Sequence, residues 1–444
     1  MIEKFLKKIK ASLEHFISLN DIKTISIAYS GGLDSTVLLY AISRLNLQIY
    51  IKAIHVNHQI DSKSSSWEDF CRDNCEKLNI KFVSKTASLN LENKGNIEER
   101  AREARYAFFK EELSSDDLLV TAHHADDQLE TFLYRFLRGS GVRGLRGILD
   151  YNDFGKGFLA RPLLNTTKSE IKDVAKEWKL QWIEDPSNKD IGYDRNYLRH
   201  QVVPLINNRW PSSAVIAART SKQMNDAEEL LNVLADLDLE LIPDKKRIPV
   251  ELITMHNEAR SNNLLRKLIA DLDLPIPSSM HLKKLYDALY ISRSDAETQV
   301  KWKGVEARIF KGVLYLFEPI DSFSSHNRGV ISKERKWISP VGELRLEKTS
   351  SLGIPDSWVN KGLEVRFREG GEKFKLVNTH HHKTLNSLFQ SKSIVPWMRN
   401  KIPLIYYEDQ LVAIADLWIS DIINSEKKEN IYWKVNWVDH PPIY

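Results

Sequence analysis

The sequence predicts an N-terminal α/β domain built on a mostly parallel sheet, then a helical middle domain and a small α+β domain at the C-terminal end. Short apolar runs alternate with segments of helical periodicity over the first two hundred residues, as expected for parallel strands covered on both faces. The helical pattern that begins near residue 213 contains no glycine up to about residue 289, and β-like runs follow it. We place the three predicted domains at residues 1–210, 211–325 and 326–444.

The elements of the first domain follow in order. An amphipathic helix opens the chain, since four lysines interrupt its apolar residues. Strands are predicted at 24–28, 48–56, 81–84 and 117–122, and helices at 64–78, 97–113 and 126–138. Strands at 300–319, 343–347 and 411–415, a linker at 321–328 and a helix at 384–390 complete the prediction. Ligands of parallel sheets bind beyond the carboxyl ends of the strands, so we expect the functional site just after Ala28, Val56 and Ala122.

The composition excludes several classes of protein. With 444 residues, 42% of them hydrophobic and 28% charged, the chain can bury a core in each domain. Two cysteines exclude a disulfide scaffold and a four-cysteine zinc site. The longest apolar runs fall short of the ~18 residues of a membrane span, so we expect a cytoplasmic protein without membrane contact. The formal net charge of +4 decides nothing about nucleic acid, because such surfaces are local.

The strongest motif joins a predicted strand to a predicted helix. Its six residues are Ser30, Gly31, Gly32, Leu33, Asp34 and Ser35. Two glycines allow a tight turn and close approach of a ligand, and the N-terminus of the following helix favours phosphate. Asp34 would repel phosphate unless a cation lies between them, which points to Mg²⁺. The alternative is an ordinary turn that happens to contain two glycines.

Polar residues also follow the second and fourth strands. His55-Val56-Asn57-His58 ends the second strand, and His123-His124-Ala125-Asp126-Asp127 precedes a helix that also carries Glu130. Asp126 and Asp127 share a helical face with Glu130. Capping explains one aspartate, so the sequence favours a metal or amine site. A zinc site is less favoured, because no three-ligand spacing emerges.

Arginines surround these motifs. A charged helix carries Arg102 and Arg105. Arg138 comes directly before a segment with the letters GSGVRG, and Arg143 lies within it. That segment has the GxGxxG pattern of dinucleotide sites, but a helix instead of a strand precedes it. We interpret it as a loop that contacts phosphates. Further along lie Arg161-Pro162-Leu163-Leu164, Glu184-Asp185-Pro186-Ser187-Asn188, Arg195 and Arg199.

The loop SGGLDS resembles that of the ATP-pyrophosphatase-loop enzymes, which split ATP into AMP and pyrophosphate and have a Rossmann-like nucleotide-binding fold. Together with HVNH, the ERAREARY helix, TAHHADDQLETFLYRFLRGSGVRGLRG, RPLL and EDPSN, it makes the chain similar to the tRNA(Ile)-lysidine synthetase family in its long, three-domain form. The resemblance is dense over residues 20–210. It continues in VRFREGGEKF and SLFQSKSIVPWMRNKIPLIY.

The resemblance implies a reaction. ATP adenylates O2 of the wobble cytidine in a CAU anticodon of isoleucine tRNA, and the ε-amine of free L-lysine then attacks C2 to give lysidine and AMP. It implies ATP and Mg²⁺ as cofactors, tRNA(Ile) and L-lysine as partners, and no protein partner, with a homodimer left open.

The implied site residues are assigned by motif. Ser30, Gly31, Gly32, Leu33, Asp34 and Ser35 bind ATP, with Mg²⁺ at Asp34 through the phosphates and at Asp127. Asp127 and Glu130 hold the lysine amine, with Asp126 as a helper. The expected catalytic residues are Asp34, Asp127, Glu130, Arg102 and His123. The expected tRNA contacts are Arg105, Arg138, Arg143, Arg195, Arg199, Arg366, Arg368, Lys383 and Arg399.

The segment 366–401 supports RNA contact independently. It has eight basic and two acidic residues, and Phe367, Phe374, Phe389 and Trp397 lie among them. Such a pattern suits phosphate contact with base stacking; the alternative is a solvated basic face over core aromatics. The chain departs from the family here, because Asn386-Ser387 stand where lysines are usual, and His380-His381-His382 lie slightly earlier.

Three other functions are compatible with some of these motifs. A tRNA thiolase of the same loop family is disfavoured by the lack of a CxxC pair, since Cys71 and Cys75 are four apart and are expected to be buried, inert thiols. An ammonia-using synthetase is weakly disfavoured by the lack of a recognisable glutaminase domain. A nucleotide-binding tRNA chaperone without catalysis is disfavoured by the carboxylate cluster.

Overall fold

The computed structural model describes residues 1–59, 63–87, 97–185, 192–291, 298–320, 328–331, 336–379, 381–425 and 431–444. The chain divides into two compact units, Met1–Leu230 and Leu231–Tyr444. The division falls within one long helix, Ser213–Leu239. The domain boundaries near residues 210 and 325 stay predictions.

A six-stranded sheet forms the centre of the first unit. Its strands are β1 (Thr24–Ala28), β2 (Tyr50–Asn57), β3 (Lys81–Thr86), β4 (Asp117–Val120), β5 (Tyr151–Phe154) and β6 (Gly157–Ala160). The spatial order is β3-β2-β1-β4-β6-β5. All neighbours pair in parallel except β5, which runs antiparallel to β6 at the edge. The predicted parallel sheet is therefore confirmed, with an additional edge hairpin.

Helices cover both faces of this sheet. The helices that begin within the first unit are α1 (Ile2–Asn20), α2 (Leu33–Arg44), α3 (Ser64–Lys77), α4 (Ile97–Glu112), α5 (Ala125–Leu137), α6 (Val142–Leu145), α7 (Lys168–Glu177), α8 (Asp194–Tyr197), α9 (Val203–Arg209) and α10 (Ser213–Leu239), with a π-helical turn at Leu198–Val202 between α8 and α9. Ile9 and Leu13 of α1 are fully buried against one face, as its amphipathic pattern predicts. Phe108 and Phe109 of α4 pack on the other face.

The parallel order places three chain segments at one edge of the sheet. Strands β1, β2 and β4 are neighbours in the order β2-β1-β4. Their carboxyl ends lead into the SGGLDS loop, the HVNH motif and the HHADD segment. Because parallel strands point the same way, these three motifs meet at the edge where ligands bind in such folds.

The second unit begins with a helical part closed by a small sheet. Its elements are β7 (Ile248–Pro249), α11 (Val250–Thr254), α12 (Glu258–Asp271), α13 (Ser279–Ile291), β8 (Thr298–Trp302), β9 (Val305–Phe310) and β10 (Val313–Phe317). The antiparallel sheet has the order β7-β10-β9-β8. Leucines of α12 and α13, including Leu264, Leu268 and Leu285, are buried against it. This is the helical part and the strand region expected from the sequence.

The C-terminal part is a small α+β arrangement. Its elements are β11 (Gly329–Ile331), β12 (Lys336–Ser339), β13 (Gly342–Thr349), β14 (Ile354–Pro355), α14 (Asp356–Lys361), β15 (Leu363–Arg366), β16 (Lys373–Phe374), β17 (Lys383–Thr384), α15 (Leu385–Ser391), β18 (Leu404–Tyr407), β19 (Gln410–Ile414), β20 (Trp418–Ile419) and β21 (Tyr432–Val438). They form sheets of order β11-β15-β18-β19-β20 and β12-β13-β21-β14, with a β16-β17 pair. Among the described helices of the whole chain, none is long and apolar enough to cross a bilayer.

Candidate active site

The SGGLDS loop has a conformation that only glycine adopts easily. Gly31 has φ +80°, in the left-handed region that side chains disfavour. A Cβ there would also lie 2.5 Å from Ile183 Cδ1 and 2.9 Å from Cys71 Sγ. The Gly31 carbonyl accepts a hydrogen bond from the Ile183 N–H at 2.9 Å. The loop is therefore fixed against the segment before residue 186; residues 186–188 of the predicted EDPSN motif lie outside the described residues.

The serines of the loop bond to one another and hold its shape. Ser30 Oγ and Ser35 Oγ are 3.0 Å apart, and Ser35 Oγ donates to the Gly32 carbonyl at 3.1 Å. The helix that begins at Leu33 therefore has its first N–H groups presented at the sheet edge, an arrangement that suits phosphate. The Leu33 side chain itself belongs to the buried core, so Leu33 can contribute to a ligand only through its backbone.

Asp34 has a partner that the sequence analysis missed. Lys168 Nζ lies 2.6 Å from both carboxylate oxygens of Asp34, although the two residues are 134 positions apart. Lys168 also donates its backbone N–H to Asp126 Oδ2 at 2.7 Å. Asp126 thus joins the start of α7 to the start of α5. The sequence does show a lysine at the start of a capped helix after RPLL. It does not indicate which carboxylate this lysine contacts.

The start of α5 is organised by a histidine. His124 is the N-cap residue, and its side chain and backbone exchange hydrogen bonds with Asp127 in a capping box. Asp127 Oδ2 accepts from the His124 N–H at 3.0 Å, which leaves the other oxygen for a further partner. The neighbouring His123 ring bonds to Thr121 Oγ1 at 2.8 Å, and burial lowers its pKa to about 3. His123 is therefore neutral at pH 7.

Asp127 and Glu130 together bind the guanidinium of Arg199. Arg199 Nε and Nη2 lie 2.7 and 2.8 Å from the two Glu130 oxygens, and Nη2 lies 3.0 Å from Asp127 Oδ1. Arg199 comes from the π-helical turn. Arg199 is predicted from the sequence to contact tRNA, but in the structure it binds the two carboxylates that are predicted to hold the lysine amine.

The two carboxylates of this pair differ in their pKa values. Burial raises the pKa of Glu130 in spite of its bonds to Arg199. Burial also opposes ionisation of Asp127, but the adjacent His124 and His123, the His124 N–H and Arg199 outweigh it and hold the Asp127 pKa below its usual range. A pair of acids with pKa values shifted apart suits a site in which one carboxylate binds a cation and the other exchanges a proton.

Two cavities meet beside these residues. The smaller, about 240 Å³, is lined by residues of the SGGLDS loop and by apolar groups that include Ile54, Val56 and Phe109. The larger, about 870 Å³, is lined by Asp127, Glu130 and the arginines Arg102, Arg135, Arg143, Arg146, Arg161, Arg195 and Arg199. Arg102, His123 and Asp127 line both. A nucleotide in the smaller cavity would therefore have its phosphates directly beside the larger cavity, which we call the basic chamber.

The arginines predicted to contact tRNA have different surroundings. Arg143 and Arg195 line the larger cavity, and Arg105 lines the smaller one. Arg138 lies instead at the exposed end of α5, where its guanidinium donates to the Tyr134 hydroxyl at 2.6 Å. Arg102 lies over the Tyr106 ring at 4.7 Å, which orients it without neutralising its charge.

The GSGVRGLRG segment is held in place by α5. Arg135 Nη1 donates to the carbonyls of Gly144 and Gly147, at 2.8 Å each. Gln128 exchanges two hydrogen bonds with the backbone of Ile148, at 2.6 and 3.0 Å. The loop is therefore anchored to α5 by hydrogen bonds within the protein, and this role of Gln128 was not foreseen from the sequence.

Comparison with known proteins decides the family. Models described as the PP-loop domain, the TilS substrate binding domain and the TilS substrate C-terminal domain match residues 3–206, 249–315 and 363–437. The tRNA(Ile)-lysidine synthase of Coxiella burnetii is 34% identical over 437 residues, covering 97% of this chain and 96% of that protein. That of Legionella pneumophila (strain Paris) is 34% identical over 423 residues, covering 93% and 95%.

The chain belongs to the tRNA(Ile)-lysidine synthase family. The Yersinia pseudotuberculosis (serotype O:1b) member is 32% identical over 443 residues, covering 95% of this chain and 97% of that protein. The family resemblance, the fold class and the assignment to an ATP-dependent ligase of tRNA modification, all expected from the sequence, are thereby confirmed.

The C-terminal basic segment of this lysidine synthase homologue differs from its prediction. Its aromatic residues belong to the core, with exposed fractions of 8% or less: Phe367, Phe374, Phe389 and Trp397. The predicted base stacking on these rings is therefore wrong. The rings fill the hydrophobic core of this small, sheet-rich part of the chain. Trp397 packs edge-on against Tyr315 at 5.3 Å.

The basic residues of that segment have partners of their own. Arg366 pairs with Glu364 and Asp409, Arg368 with Glu372 and Asn400, and Arg399 donates to the Ile394 carbonyl at 3.0 Å. Lys383 is exposed on β17. Their contact with tRNA stays a prediction.

The remaining candidates from the sequence are the two cysteines and His380. Cys71 and Cys75 are fully buried, and burial raises the pKa of the Cys75 thiol to about 12, so both match the interpretation as inert thiols. His380 lies outside the described residues. In the part of the chain that is described, no group of three or more histidine, cysteine or acidic side chains could hold a metal ion.

Proposed function

We propose that this chain joins L-lysine to the wobble cytidine of isoleucine tRNA with a CAU anticodon, using ATP and releasing AMP and pyrophosphate. The cytidine O2 attacks the α-phosphorus and pyrophosphate leaves. The lysine ε-amine then forms a bond to C2, the C2–O2 bond breaks, and AMP leaves with the oxygen. The supporting observation is that the phosphate loop, a cation-binding carboxylate pair and a basic chamber share the wall formed by Arg102, His123 and Asp127.

We propose that ATP binds in the smaller cavity in one orientation. The N–H groups at the start of α2 and the serine hydroxyls suit the phosphates, and we propose that the base lies near Ile54, Val56 and Phe109 of the cavity lining. The Lys168 ammonium lies 2.6 Å from Asp34, and Asp34 lines this cavity together with Ser30 and Ser35. We propose that it exchanges Asp34 for the phosphates and stabilises the departing pyrophosphate.

Mg²⁺ is implied by this chemistry, and the donor set fits it. Mg²⁺ is commonly held by one or two carboxylates together with substrate phosphates. Asp34 supplies such a carboxylate once Lys168 turns to the phosphates, and we propose it as the protein ligand, with Asp127 further along the same wall. A bound ion would neutralise charge on the triphosphate. Tightening of ATP binding by Mg²⁺, and loss of that effect in Asp34→Asn, would test the assignment by calorimetry.

The carboxylate pair is proposed to bind the lysine amine. Asp127 and Glu130 already hold one organic cation, the guanidinium of Arg199, which shows that the pair accepts a positive charge in this geometry. A substrate ammonium would replace it, so Arg199 has to move when lysine binds. Lysine attacks only as the free amine. Glu130, with its raised pKa, is the better proton acceptor of the two.

The basic chamber is proposed to receive the anticodon. Its volume of about 870 Å³ and its seven arginines suit a nucleotide with its flanking phosphates. Arg102 lies between the two cavities and is proposed to orient the cytidine or the α-phosphate. We propose that the middle and C-terminal domains, 211–325 and 326–444, bind the rest of the tRNA, and that the protein acts in the cytoplasm, where tRNA, ATP and free lysine are available.

Incorporation of radiolabelled lysine tests the proposal. An unmodified isoleucine tRNA transcript with a CAU anticodon is incubated with the protein, Mg²⁺ and lysine, with and without ATP. We expect label in the RNA only with ATP, and none in a methionine tRNA with the same anticodon. Release of AMP and pyrophosphate without lysine incorporation would overturn the lysine assignment and leave the nucleotide loop intact.

A role of the two cysteines in the reaction is tested in the same assay. Sulfur transfer by a related enzyme would need a reactive thiol, whereas Cys71 and Cys75 are both buried. We expect the double variant Cys71→Ala with Cys75→Ala to retain lysine incorporation within about twofold per folded molecule. Loss of incorporation by this variant with unchanged folding would favour a cysteine-dependent reaction.

A further inference from the structure

Two motifs of the sequence, ERAREARY and RPLL, meet at the wall between the two cavities. Tyr106 is the last residue of the first motif and lines the smaller cavity. Arg161 is the first residue of the second motif and lines the larger cavity. Arg102 lines both. Tyr106 and Arg161 therefore face the wall from its two sides.

The Arg161 guanidinium is fixed by the segment that leads into the edge hairpin. Its Nη1 donates to the Leu149 carbonyl at 2.6 Å and to Asn152 Oδ1 at 2.9 Å. Burial lowers the pKa of Arg161, although the Tyr106 hydroxyl opposes this effect. A guanidinium keeps its charge at pH 7 all the same. Arg161 is therefore a cation held in one place beside the wall.

The Tyr106 hydroxyl has two guanidinium groups beside it. Arg102 Nη2 donates to it at 3.4 Å, and the Arg161 side chain also hydrogen-bonds to it. A guanidinium can only donate, so the phenolic oxygen is the acceptor in both contacts, and its own proton is left for a third partner. Within the described part of the chain no group accepts that proton. The O–H is therefore available to a ligand of the cavity that Tyr106 lines.

The ring of Tyr106 is held independently of its hydroxyl. It packs edge-on against Phe154, with 5.6 Å between the ring centroids, and lies 6.0 Å from the Phe109 ring. The Arg102 guanidinium carbon lies 4.7 Å from its centre. Replacement of Tyr106 by phenylalanine would keep these contacts and remove only the O–H.

We propose that Tyr106 is a further catalytic residue, whose hydroxyl donates a hydrogen bond to a non-bridging oxygen of the ATP α-phosphate, and that Arg161 is the residue that positions this hydroxyl. The inference rests on the proposed function, which places ATP in the smaller cavity and the cytidine in the larger one. Because the cytidine O2 attacks the α-phosphorus, that atom has to lie at the wall that the cavities share.

The hydroxyl would act on the charge of the phosphoryl group. The bond from O2 to the α-phosphorus forms, the bond to the pyrophosphate oxygen breaks, and pyrophosphate leaves with the electron pair. The non-bridging oxygens carry negative charge during this displacement, and a donor already aimed at them stabilises the transition state. The proton stays on Tyr106 throughout, so the residue is unchanged by the reaction.

Single-turnover kinetics test this inference. Full-length protein, in excess over an isoleucine tRNA transcript and saturating for it, is mixed with Mg²⁺, lysine and ATP, and pyrophosphate release is followed. Tyr106→Phe is expected to lower the rate constant by about 10- to 100-fold. The ATP concentration that gives half the maximal rate should stay within about twofold of wild type, because the hydrogen bond is strongest in the transition state.

A second tyrosine of the chain supplies the matched control. The Tyr134 hydroxyl also accepts from an arginine four residues further on, Arg138 Nη1 at 2.6 Å, but Tyr134 lines neither of the two cavities. Tyr134→Phe removes an equivalent O–H and should leave the rate constant within about twofold of wild type.

Substitutions at Arg161 test its positioning role. Arg161→Met removes the guanidinium and is expected to lower the rate constant by about tenfold or more, whereas Arg161→Lys keeps the charge and should recover part of that loss. In the Tyr106→Phe background, Arg161→Met should lower the rate constant by less than about threefold, because its effect passes through the hydroxyl. Losses that multiply in the double variant would contradict the positioning role.

The separation of rate constant from ATP dependence is decisive, because a merely structural tyrosine would not produce it. A wild-type rate constant in Tyr106→Phe would overturn the inference. So would a weaker dependence on ATP with an unchanged rate constant, since the hydroxyl would then serve binding alone. If Arg161→Met fails to fold, the comparison of Tyr106→Phe with Tyr134→Phe decides. Absence of pyrophosphate release by the wild type would contradict the proposed function itself, and is distinct from these outcomes.

Discussion

Two basic regions of this chain use positive charge in opposite ways. In the first unit, Arg143 and Arg195 line a cavity beside the phosphate loop. In the C-terminal segment 366–401, Arg366 and Arg368 are paired with acidic side chains, and the aromatic rings among them are core. A high local charge in the sequence therefore does not establish an RNA surface. What matters is whether the folded chain supplies its own counterions.

The strand periodicity explains why the C-terminal charges are neutralised. Glu364 and Arg366 are two apart on β15, so their side chains project from the same face. Arg366 reaches Asp409 as well, which lies in the turn between β18 and β19. In the first unit Asp127 and Glu130 bind Arg199, while Arg135 and Arg161 of the same cavity donate to backbone carbonyls.

The largest expected effect is at the phosphate loop. Asp34→Asn removes the charge that holds Lys168 and that would carry Mg²⁺, and we expect ATP-dependent lysine incorporation to fall by about 10²- to 10³-fold. Asp153→Asn, at an exposed position of β5, is the matched control and should leave the rate unchanged. Full activity of the Asp34 variant would show that the loop takes no part in the reaction. The contrast between the two basic regions would then not hold.

The C-terminal aromatics should act on stability instead of RNA binding. Phe389 is fully buried, so Phe389→Ala is expected to lower the free energy of unfolding of the C-terminal part by about 3–5 kcal/mol. Phe136→Ala, at a ring that is 60% exposed, should cost less than about 0.5 kcal/mol. Chemical denaturation followed by tryptophan fluorescence measures both. A variant at Phe389 of unchanged stability but weakened RNA binding would restore the stacking interpretation.

The carboxylate pair should show a pH signature. Glu130→Gln is expected to lower kcat/KM for lysine by about 10²-fold and to leave KM for ATP nearly unchanged. Since burial raises the Glu130 pKa, the wild-type rate should fall with decreasing pH above the range of an ordinary carboxylate, as Glu130 gains a proton and ceases to accept one. The variant should lack that limb. Glu111→Gln, whose side chain is 62% exposed, should keep it.

A smaller effect on tRNA binding is expected when single arginines are replaced, one from each region. Arg143→Ala should weaken tRNA binding by several-fold and reduce the slope of log affinity against log salt by about one. Arg366→Ala removes a charge that two acids already neutralise, so its slope should change by less than half as much. Filter binding over a range of salt concentrations measures both. Equal slopes would return Arg366 to the tRNA interface.

Much of the first unit could be predicted from short-range pattern. The strand before Ser30, the strand that ends in HVNH and the helix after HHADD lie where the sequence places them, to within a few residues. The edge hairpin of β5 and β6 was missed, because each strand has only four residues and a turn of two residues, Gly155 and Lys156, separates them. Strands that short do not show a period.

The site was predicted in its parts but not in its pairings. SGGLDS, Asp127 and Glu130 follow from residue type and spacing, since a glycine turn and a helical face are local properties. Lys168 at Asp34 and Arg199 at the carboxylate pair join positions 134 and about 70 residues apart. A sequence contains both charges but not which of the many opposite charges each one meets.

The sequence by itself determined the sheet edge, the phosphate loop and the residues that carry charge, because each depends on neighbours within one element. The tertiary structure alone decided which charges are paired, which aromatic rings are buried in the core and where the pairing of β1 with β2 ends. These outcomes depend on packing between distant segments, because a buried unpaired charge and an apolar ring left in water both cost free energy.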